Sequence, residues 1–94
     1  MSTDIAPAGL LHRALGLHPQ VALRPEPFGA LAYHYGTRRL VFLKHPDMVA
    51  VAQSLAGHET LSSALRAAGI SETRWPSFER AFASLVASGV VHER

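Results

Sequence analysis

Two seven-residue segments carry the strongest structural signal in this chain: Gly29-Ala-Leu-Ala-Tyr-His-Tyr35 and Arg38-Arg-Leu-Val-Phe-Leu-Lys44. Both segments are rich in aromatic and branched residues, which favour β-strands. Only Gly36-Thr37 separates them, and a Gly-X pair between two strands predicts a β-hairpin with a two-residue type II′ turn. The sequence therefore predicts an antiparallel strand pair over residues 29–44.

The register of this hairpin follows from its turn, because Tyr35 then faces Arg38. The large side chains are expected to share the face that meets the core: Leu31, Tyr33, Leu40 and Phe42. The opposite face is mixed in size and polarity: Ala30, Ala32, His34, Arg39, Val41 and Leu43. A slip of one residue would exchange the two faces, so the register fixes which side chains are buried.

The rest of the chain adds one strand before the hairpin and three helices after it. A strand begins at Val21 and ends near Pro25, and apolar residues at helical spacing follow within residues 46–57, 60–69 and 74–89. The expected fold class is α+β: a winged-helix-like arrangement with a three-stranded antiparallel sheet followed by three helices. Residues 1–17 are predicted to form an N-terminal arm, and residues 18–94 a single domain.

Composition excludes several classes of protein. Of the 94 residues, 48% are hydrophobic and 17% are charged, which excludes a wholly disordered chain. No cysteine is present, so disulfides, thiolate metal sites and cysteine nucleophiles are excluded. Apolar runs are too short to span a membrane, and residues 1–8 do not resemble a secretory signal. The expected location is the cytoplasm.

The sequence offers little sign of catalysis. Its seven carboxylates are scattered, and it has neither a serine nucleophile motif nor a glycine-rich phosphate loop. Its six histidines have no helical or strand spacing typical of metal ligands. We therefore expect no enzyme activity, no catalytic residue, no cofactor and no metal.

A winged-helix order makes a DNA-binding regulator the alternative function. The third predicted helix would have to read bases, yet Arg80 is the only outward residue of a suitable type. The formal net charge of +2 is also small for a nucleic-acid-binding surface. The preferred interpretation is that the protein does not bind nucleic acid.

Peptide binding fits the predicted sheet better, because segment 38–44 would be an open edge strand. Four consecutive residues in its middle, Leu40-Val41-Phe42-Leu43, carry neither charge nor proline, whereas edges are normally protected. The third helix would flank this edge with apolar side chains: Trp75, Phe78 and Phe82. Core packing is the competing interpretation of the two phenylalanines. A cationic rim suited to an acidic peptide would surround the groove: Arg38, Arg39, Lys44, Arg74 and Arg80.

Residues 18–44, from His18-Pro-Gln-Val through Arg38-Arg-Leu-Val-Phe-Leu-Lys44, closely resemble the peptide chaperones of mycofactocin biosynthesis. Leu55-Ala-Gly57 and Leu85-Val-Ala-Ser-Gly89 are similar to the broader PqqD-like family of RiPP recognition elements. The resemblance spans about residues 18–91 and implies a non-catalytic protein. Such a protein binds the leader of a ribosomally made precursor peptide and presents it to a radical S-adenosylmethionine (SAM) maturase.

The resemblance also implies where the peptide binds. In the family the leader adds as a strand and lies against the third helix, which corresponds here to segment 38–44 and to one face of the last helix. The implied contacts on that helix are Arg74, Trp75, Phe78, Glu79 and Phe82. The same open edge allows pairing with a second copy of the chain, so a homodimer is a further expectation.

Overall fold

A computed structural model describes residues 7–94 of the protein. The helices are α1 (Pro7–Leu10), α2 (Pro46–Ser54), α3 (Leu61–Ala67) and α4 (Trp75–Ala87). The strands are β1 (Leu15–Leu17), β2 (Val21–Glu26), β3 (Gly29–His34), β4 (Arg39–Leu43) and β5 (Val91–Glu93). This architecture confirms the α+β class, with a three-stranded antiparallel sheet followed by three helices, although winged-helix-like describes it only loosely. No helix in this part of the chain is both long enough and apolar enough to cross a membrane.

The hairpin has the predicted register. Strands β2, β3 and β4 lie in that order, so β3 is central and β4 is an edge. Leu31 pairs with Phe42, and Tyr33 pairs with Leu40. Placing Tyr35 opposite Arg38 was therefore sufficient to assign each β4 residue its correct partner.

The predicted type II′ turn is wrong. Gly36 does not have the positive φ that such a turn needs, and the left-handed residue is instead Arg38, with φ of 62°. The loop is longer because the ring of His34 organises it: its Nδ1 accepts the N–H groups of Gly36 and Thr37 at 3.1 and 3.2 Å. A Cβ at position 36 would lie 2.4 Å from Oε1 of Gln20, but that atom ends a flexible, exposed side chain that can move aside.

The face assigned to the core is also wrong. Ala30, Ala32 and Leu43 are completely buried, whereas Leu40 and Phe42 remain 59% and 40% exposed. The alanines let α2 approach the sheet closely, and α2 packs against both β3 and β4. The helices supply most of the core volume, so the sheet buries its smaller side chains and turns its larger ones outward.

The three predicted helices are confirmed, and their ends have clear local causes. His45 caps α2, and Thr60 caps α3 through a reciprocal capping box with Ser63. Pro76 lies in the first turn of α4, where its missing N–H is tolerated. Glycine after α3 and after α4 takes a positive φ, 76° at Gly69 and 85° at Gly89, as expected of helix C-termini.

Residues near both ends of the described chain form a second, two-stranded sheet. Strand β1 pairs antiparallel with β5, and neither strand was predicted from the sequence. Leu10 and Leu15 are each 1% exposed and belong to the main core cluster. The division into an arm and a domain at residue 17 stays a prediction, but the described part of that arm contributes to the core.

Candidate peptide-binding site

The backbone polar groups of β4 divide into two sets. The N–H of Tyr35 donates to the C=O of Gln20 at 2.8 Å, so the odd-numbered residues of β3 direct their polar groups toward β2. Even-numbered residues of β3 therefore bond to β4, and the register makes Val41 a partner in that ladder. The backbone N–H and C=O groups of Leu40 and Phe42 point away from the sheet. These groups form a template for an added strand.

Strand β4 is open along this side, because no strand within residues 7–94 pairs with it there. Its ends carry the exposed cations Arg39 and Lys44, but nothing charged interrupts the three residues after Arg39. Natural edge strands are usually protected by an inward charge, a proline or a bulge. The structure therefore has the open strand edge that the sequence predicted.

A groove of about 270 Å³ lies close to the C-terminal end of β4. The first turns of α2 and the first half of α4 form its walls, and the lining residues are His45, Met48, Arg74, Ser77, Phe78 and Ala81. Phe78 and Met48 give the groove an apolar floor, with polar groups at its rim. Of the lining residues, only Arg74 and Phe78 were predicted from the sequence. His45, the N-cap of α2, and Met48 within it were not predictable, because their position opposite α4 depends on tertiary packing.

Arg74 is held in place at the rim of this groove. Its Nη2 donates to Oδ2 of Asp47 at 3.0 Å, and its guanidinium lies 5.2 Å from the centre of the Phe78 ring. The ion pair is partly exposed, so it contributes little to stability. Its consequence for binding is that Asp47 already balances part of the positive charge that Arg74 would offer to a peptide.

Two of the aromatic residues that were predicted to contact the peptide, Phe82 and Trp75, contact other parts of this protein instead. Phe82 is completely buried in the core cluster, where no peptide can reach it. The indole Nε1 of Trp75 donates to the C=O of Ile70 at 2.9 Å, and the guanidinium of Arg66 lies 5.2 Å from its ring. Trp75 thus fixes the α3–α4 connection, while Phe78 alone of the three aromatic residues lines the groove.

Glu79 also lies apart from the groove. It is 6% exposed, and its Oε2 has no hydrogen-bond partner. Burial raises the pKa of the Glu79 carboxyl, while the positive charge of His12, a hydrogen bond from the Leu11 backbone and the charge of Arg80 oppose that shift. Residues 11 and 12 follow α1, so Glu79 faces the N-terminal segment.

This buried carboxyl predicts a pH-dependent stability. Because its folded pKa is raised, the folded state holds the proton more tightly, and stability should fall as pH rises above the ordinary glutamate value. Glu79→Gln removes that ionisation. The unfolding free energy of this variant, relative to that of the wild type, should therefore increase as pH rises from about 4 to 7. Urea denaturation across this range measures the difference. Glu72→Gln, at an exposed position, is the control; equal pH profiles for both variants would contradict the assignment.

Three histidines come together although they are distant in sequence. The ring centroids of His18 and His34 are 4.4 Å apart, and those of His18 and His92 are 5.4 Å apart. No signal in sequence spacing could have found this cluster, because its members come from three different segments. Even so, no group of three or more histidine, aspartate or glutamate side chains in residues 7–94 is arranged to hold a metal ion.

Comparison with known proteins identifies the family. The model of the Peptide chaperone MftB family matches residues 14–92. The chain belongs to this family. It is 50% identical over 76 residues to Peptide chaperone MftB of Mycobacterium ulcerans (strain Agy99), covering 81% of this chain and 70% of that protein. No solved structure matches the chain.

Two further MftB relatives are similarly close. The chain is 46% identical over 82 residues to Peptide chaperone MftB of Mycobacterium tuberculosis (strain ATCC 25618 / H37Rv), covering 87% of this chain and 75% of that protein. It is 51% identical over 75 residues to the protein of the same name from Mycolicibacterium smegmatis (strain ATCC 700084 / mc(2)155), covering 80% and 74%. Peptide chaperones are not catalysts, so MftB family membership confirms the prediction that this protein is not an enzyme.

Proposed function

We propose that this protein binds the leader of a ribosomally made precursor peptide as an added strand on β4 and presents that peptide to a radical SAM maturase in mycofactocin biosynthesis. The observation that carries the proposal is the open apolar edge, where the backbone groups of Leu40 and Phe42 point away from the sheet. Membership of the Peptide chaperone MftB family supports a peptide as the partner.

Strand addition would provide affinity without requiring a particular leader sequence along the whole edge. Each backbone hydrogen bond that the leader forms with Leu40 or Phe42 replaces a bond to water and contributes a modest net gain. Alternate leader side chains would project to opposite faces of the extended sheet. Selectivity must therefore come from the side chains near the edge and not from the backbone ladder.

The groove beside β4 supplies one such selective contact. Its apolar floor at Met48 and Phe78 suits an aliphatic or aromatic leader side chain, and its rim carries Arg74. The exposed cations Arg38, Arg39 and Lys44 border the edge and favour carboxylates in the leader. An extended peptide with apolar anchors and acidic residues would satisfy both features.

Presentation to the maturase requires no chemistry from this protein. A leader held on β4 keeps the rest of the precursor nearby, which raises its effective concentration at an enzyme bound to the same chaperone. No side chain of this protein then needs to contact the residues that are modified. The proposed role is one of positioning.

Titration calorimetry with the synthetic precursor peptide, and in parallel with random duplex DNA, tests the proposal directly. Stoichiometric binding to the peptide and none to DNA is the expected result. Amide shifts in an NMR titration should then concentrate at Leu40, Phe42 and the groove. Binding to DNA without binding to the peptide would replace the proposal with the DNA-binding alternative, and shifts confined to β2 would relocate the edge.

We also propose that the same edge pairs two copies of the chain into a homodimer when the peptide is absent. Two copies pairing through β4 would use the groups of Leu40 and Phe42 that the leader needs. Sedimentation velocity should therefore show any dimer dissociating as the peptide is added. A dimer that persists with bound peptide would have to use another surface.

Charge reversal at the border of the edge should weaken leader binding and reduce its salt dependence. Arg38→Glu combined with Arg39→Glu removes two exposed cations, and exposed charge pairs of this kind account for about 2- to 30-fold in affinity together. The measurement is peptide affinity across a series of salt concentrations, because salt screens exposed charges. Arg24→Glu, on the opposite edge strand, is the control for reversing a charge away from the leader edge. An unchanged salt dependence in the double variant would show that these arginines do not contact the leader.

A further inference from the structure

The face of the three-stranded sheet that points away from the helices is apolar. Four of its large side chains stand well exposed: Phe28 at 56%, Tyr35 at 61%, Leu40 at 59% and Phe42 at 40%. We call the surface formed by these residues with Leu31 and Tyr33 the outer sheet face. Its members come from β3, β4 and the two loops that join the strands, so they form a continuous patch across the sheet.

The aromatic residues of the outer sheet face are arranged in two edge-to-face pairs. The ring centroids of Phe28 and Phe42 are 5.3 Å apart with an interplanar angle of 86°, and those of Tyr33 and Tyr35 are 5.1 Å apart at 81°. Such pairs limit the freedom of side chains that solvent would otherwise leave mobile. Each of these four rings is therefore supported by a neighbour, which reduces the side-chain entropy that this protein would lose when a partner covers the patch.

A patch of this kind is unusual on a small protein that is monomeric and unpartnered. Soluble monomers rarely expose large contiguous apolar surfaces, and such surfaces mark interaction sites. The sheet places alanines on its buried side and its largest residues in solvent, the reverse of what core packing requires. Stability of the fold alone does not explain this distribution.

The charges at the border of the outer sheet face are predominantly positive. Arg24 and Lys44 lie on this side of the sheet by register, and Arg38 is exposed in the loop beside Tyr35. Strand β2 also carries the acidic residue Glu26. Its carboxylate lies 3.7 Å from the guanidinium of Arg24, so the positive charge of Arg24 balances the negative charge of Glu26. A partner with carboxylates around an apolar centre would complement this border.

We propose that the outer sheet face docks a folded protein whose contact surface is apolar at its centre and acidic at its rim. The inference rests on the proposed function, within which that protein is the maturase that receives the peptide. A second copy of this chain fits less well, because two copies packed face to face would bring their cationic borders together.

The outer sheet face and the leader edge are adjacent but use different groups of the same strand. The leader would bond to backbone groups in the plane of the sheet, whereas the side chains of Leu40 and Phe42 project perpendicular to it. Both surfaces can thus be occupied together. This arrangement would place the bound peptide beside the docked enzyme and would supply the proximity that presentation needs.

The test compares affinity for the purified maturase and for the precursor peptide in the full chain. Phe28→Asp with Tyr35→Asp alters the outer sheet face outside β4, at two side chains more than half exposed. We expect maturase affinity, measured without peptide, to fall at least about tenfold, since buried interface aromatics are common hot spots. Peptide affinity should change by less than about twofold, because the edge backbone is intact. Ala50→Asp with Ala67→Asp, at exposed helix positions, is the charge-matched control.

A second variant tests the charge complementarity with little risk to the fold. Arg24→Glu reverses one border charge on the strand farthest from β4, and its side chain is 80% exposed. Maturase association should slow and lose part of its salt dependence, while peptide binding stays unchanged. An effect on the peptide instead of the maturase would overturn the proposal.

The remaining outcomes also decide between occupants. Unchanged maturase affinity in the aspartate double variant, or no maturase binding by the wild type, overturns the inference. The inference is also overturned if the wild type forms a dimer that the aspartate double variant dissociates and the control variant does not. The same holds if the wild type binds phosphatidylglycerol vesicles and the double variant, but not the control, fails to bind them. If the wild type binds the maturase through this face but does not bind the precursor peptide, the proposed leader function fails and the docking surface stands.

Discussion

Phe42→Pro is expected to weaken leader binding about 5- to 150-fold while the protein remains folded. Proline removes the N–H that Phe42 directs away from the sheet, so one carbonyl of an added strand would lose its donor. Leaving such a group unsatisfied costs about 1–3 kcal/mol, which gives that range of affinity. The fold should survive because proline is tolerated on edge strands where the N–H faces solvent. Calorimetry with the precursor peptide measures the loss.

Two neighbouring substitutions make this result specific. Phe42→Val removes the ring but keeps the N–H, so it separates the backbone contribution from that of the side chain. Val41→Pro removes an N–H that bonds to β3, so it should destabilise the protein itself. Equal peptide affinity for Phe42→Pro and Phe42→Val would contradict strand addition on β4. Full stability of Val41→Pro would contradict the assignment of ladder and edge groups.

Leu15→Ala is expected to lower the free energy of unfolding by about 2–5 kcal/mol. Leu15 is 1% exposed and packs in the main core, so its truncation leaves a cavity. For a domain of this size, each kcal/mol corresponds to roughly 4–8 °C in Tm. Chemical denaturation followed by circular dichroism measures the change. The effect would be a large share of total stability, which is only about 5–15 kcal/mol in native proteins.

Leu40→Ala is the matched control for this prediction. It makes the same chemical change at a side chain that is 59% exposed, where surface substitutions typically alter stability by about 0.5 kcal/mol or less. If Leu15→Ala were as mild as Leu40→Ala, the pairing of β1 with β5 would contribute nothing to the core. The segment before residue 18 would then behave as an arm outside the core, as the sequence predicted.

Some structural elements of this protein were predictable from its sequence, and others were not. The strand register and all three major helices were predictable, because local alternation, helical spacing, Thr60 and the glycines at 69 and 89 each specify backbone conformation over a few residues. The loop at Gly36 was not, because its conformation depends on the buried ring of His34, whose Nδ1 accepts the N–H groups of Gly36 and Thr37. A turn motif does not encode this contact.

In the candidate site, too, some features were predictable from local sequence, whereas others depend on tertiary packing. The strand order predicted from the sequence places β4 at the edge, as the structure does. Phe82 and Glu79 were assigned to the peptide surface by the family resemblance. Their actual directions depend on how α4 packs, with Phe82 in the core and Glu79 against the segment after α1. Conversely, Met48 entered the groove because α2 lies opposite α4.

Residue order and short-range geometry were enough to predict the three strands of the main sheet, the three longer helices, the hairpin register and the family. Which face of the sheet is buried depends instead on how the helices pack against it. Either face of an amphipathic hairpin can meet a core, and the choice depends on the volume that the helices bring to it. Here the helices fill the interior so fully that the sheet contributes alanines to it. The large side chains are left in solvent, where they are available to a partner.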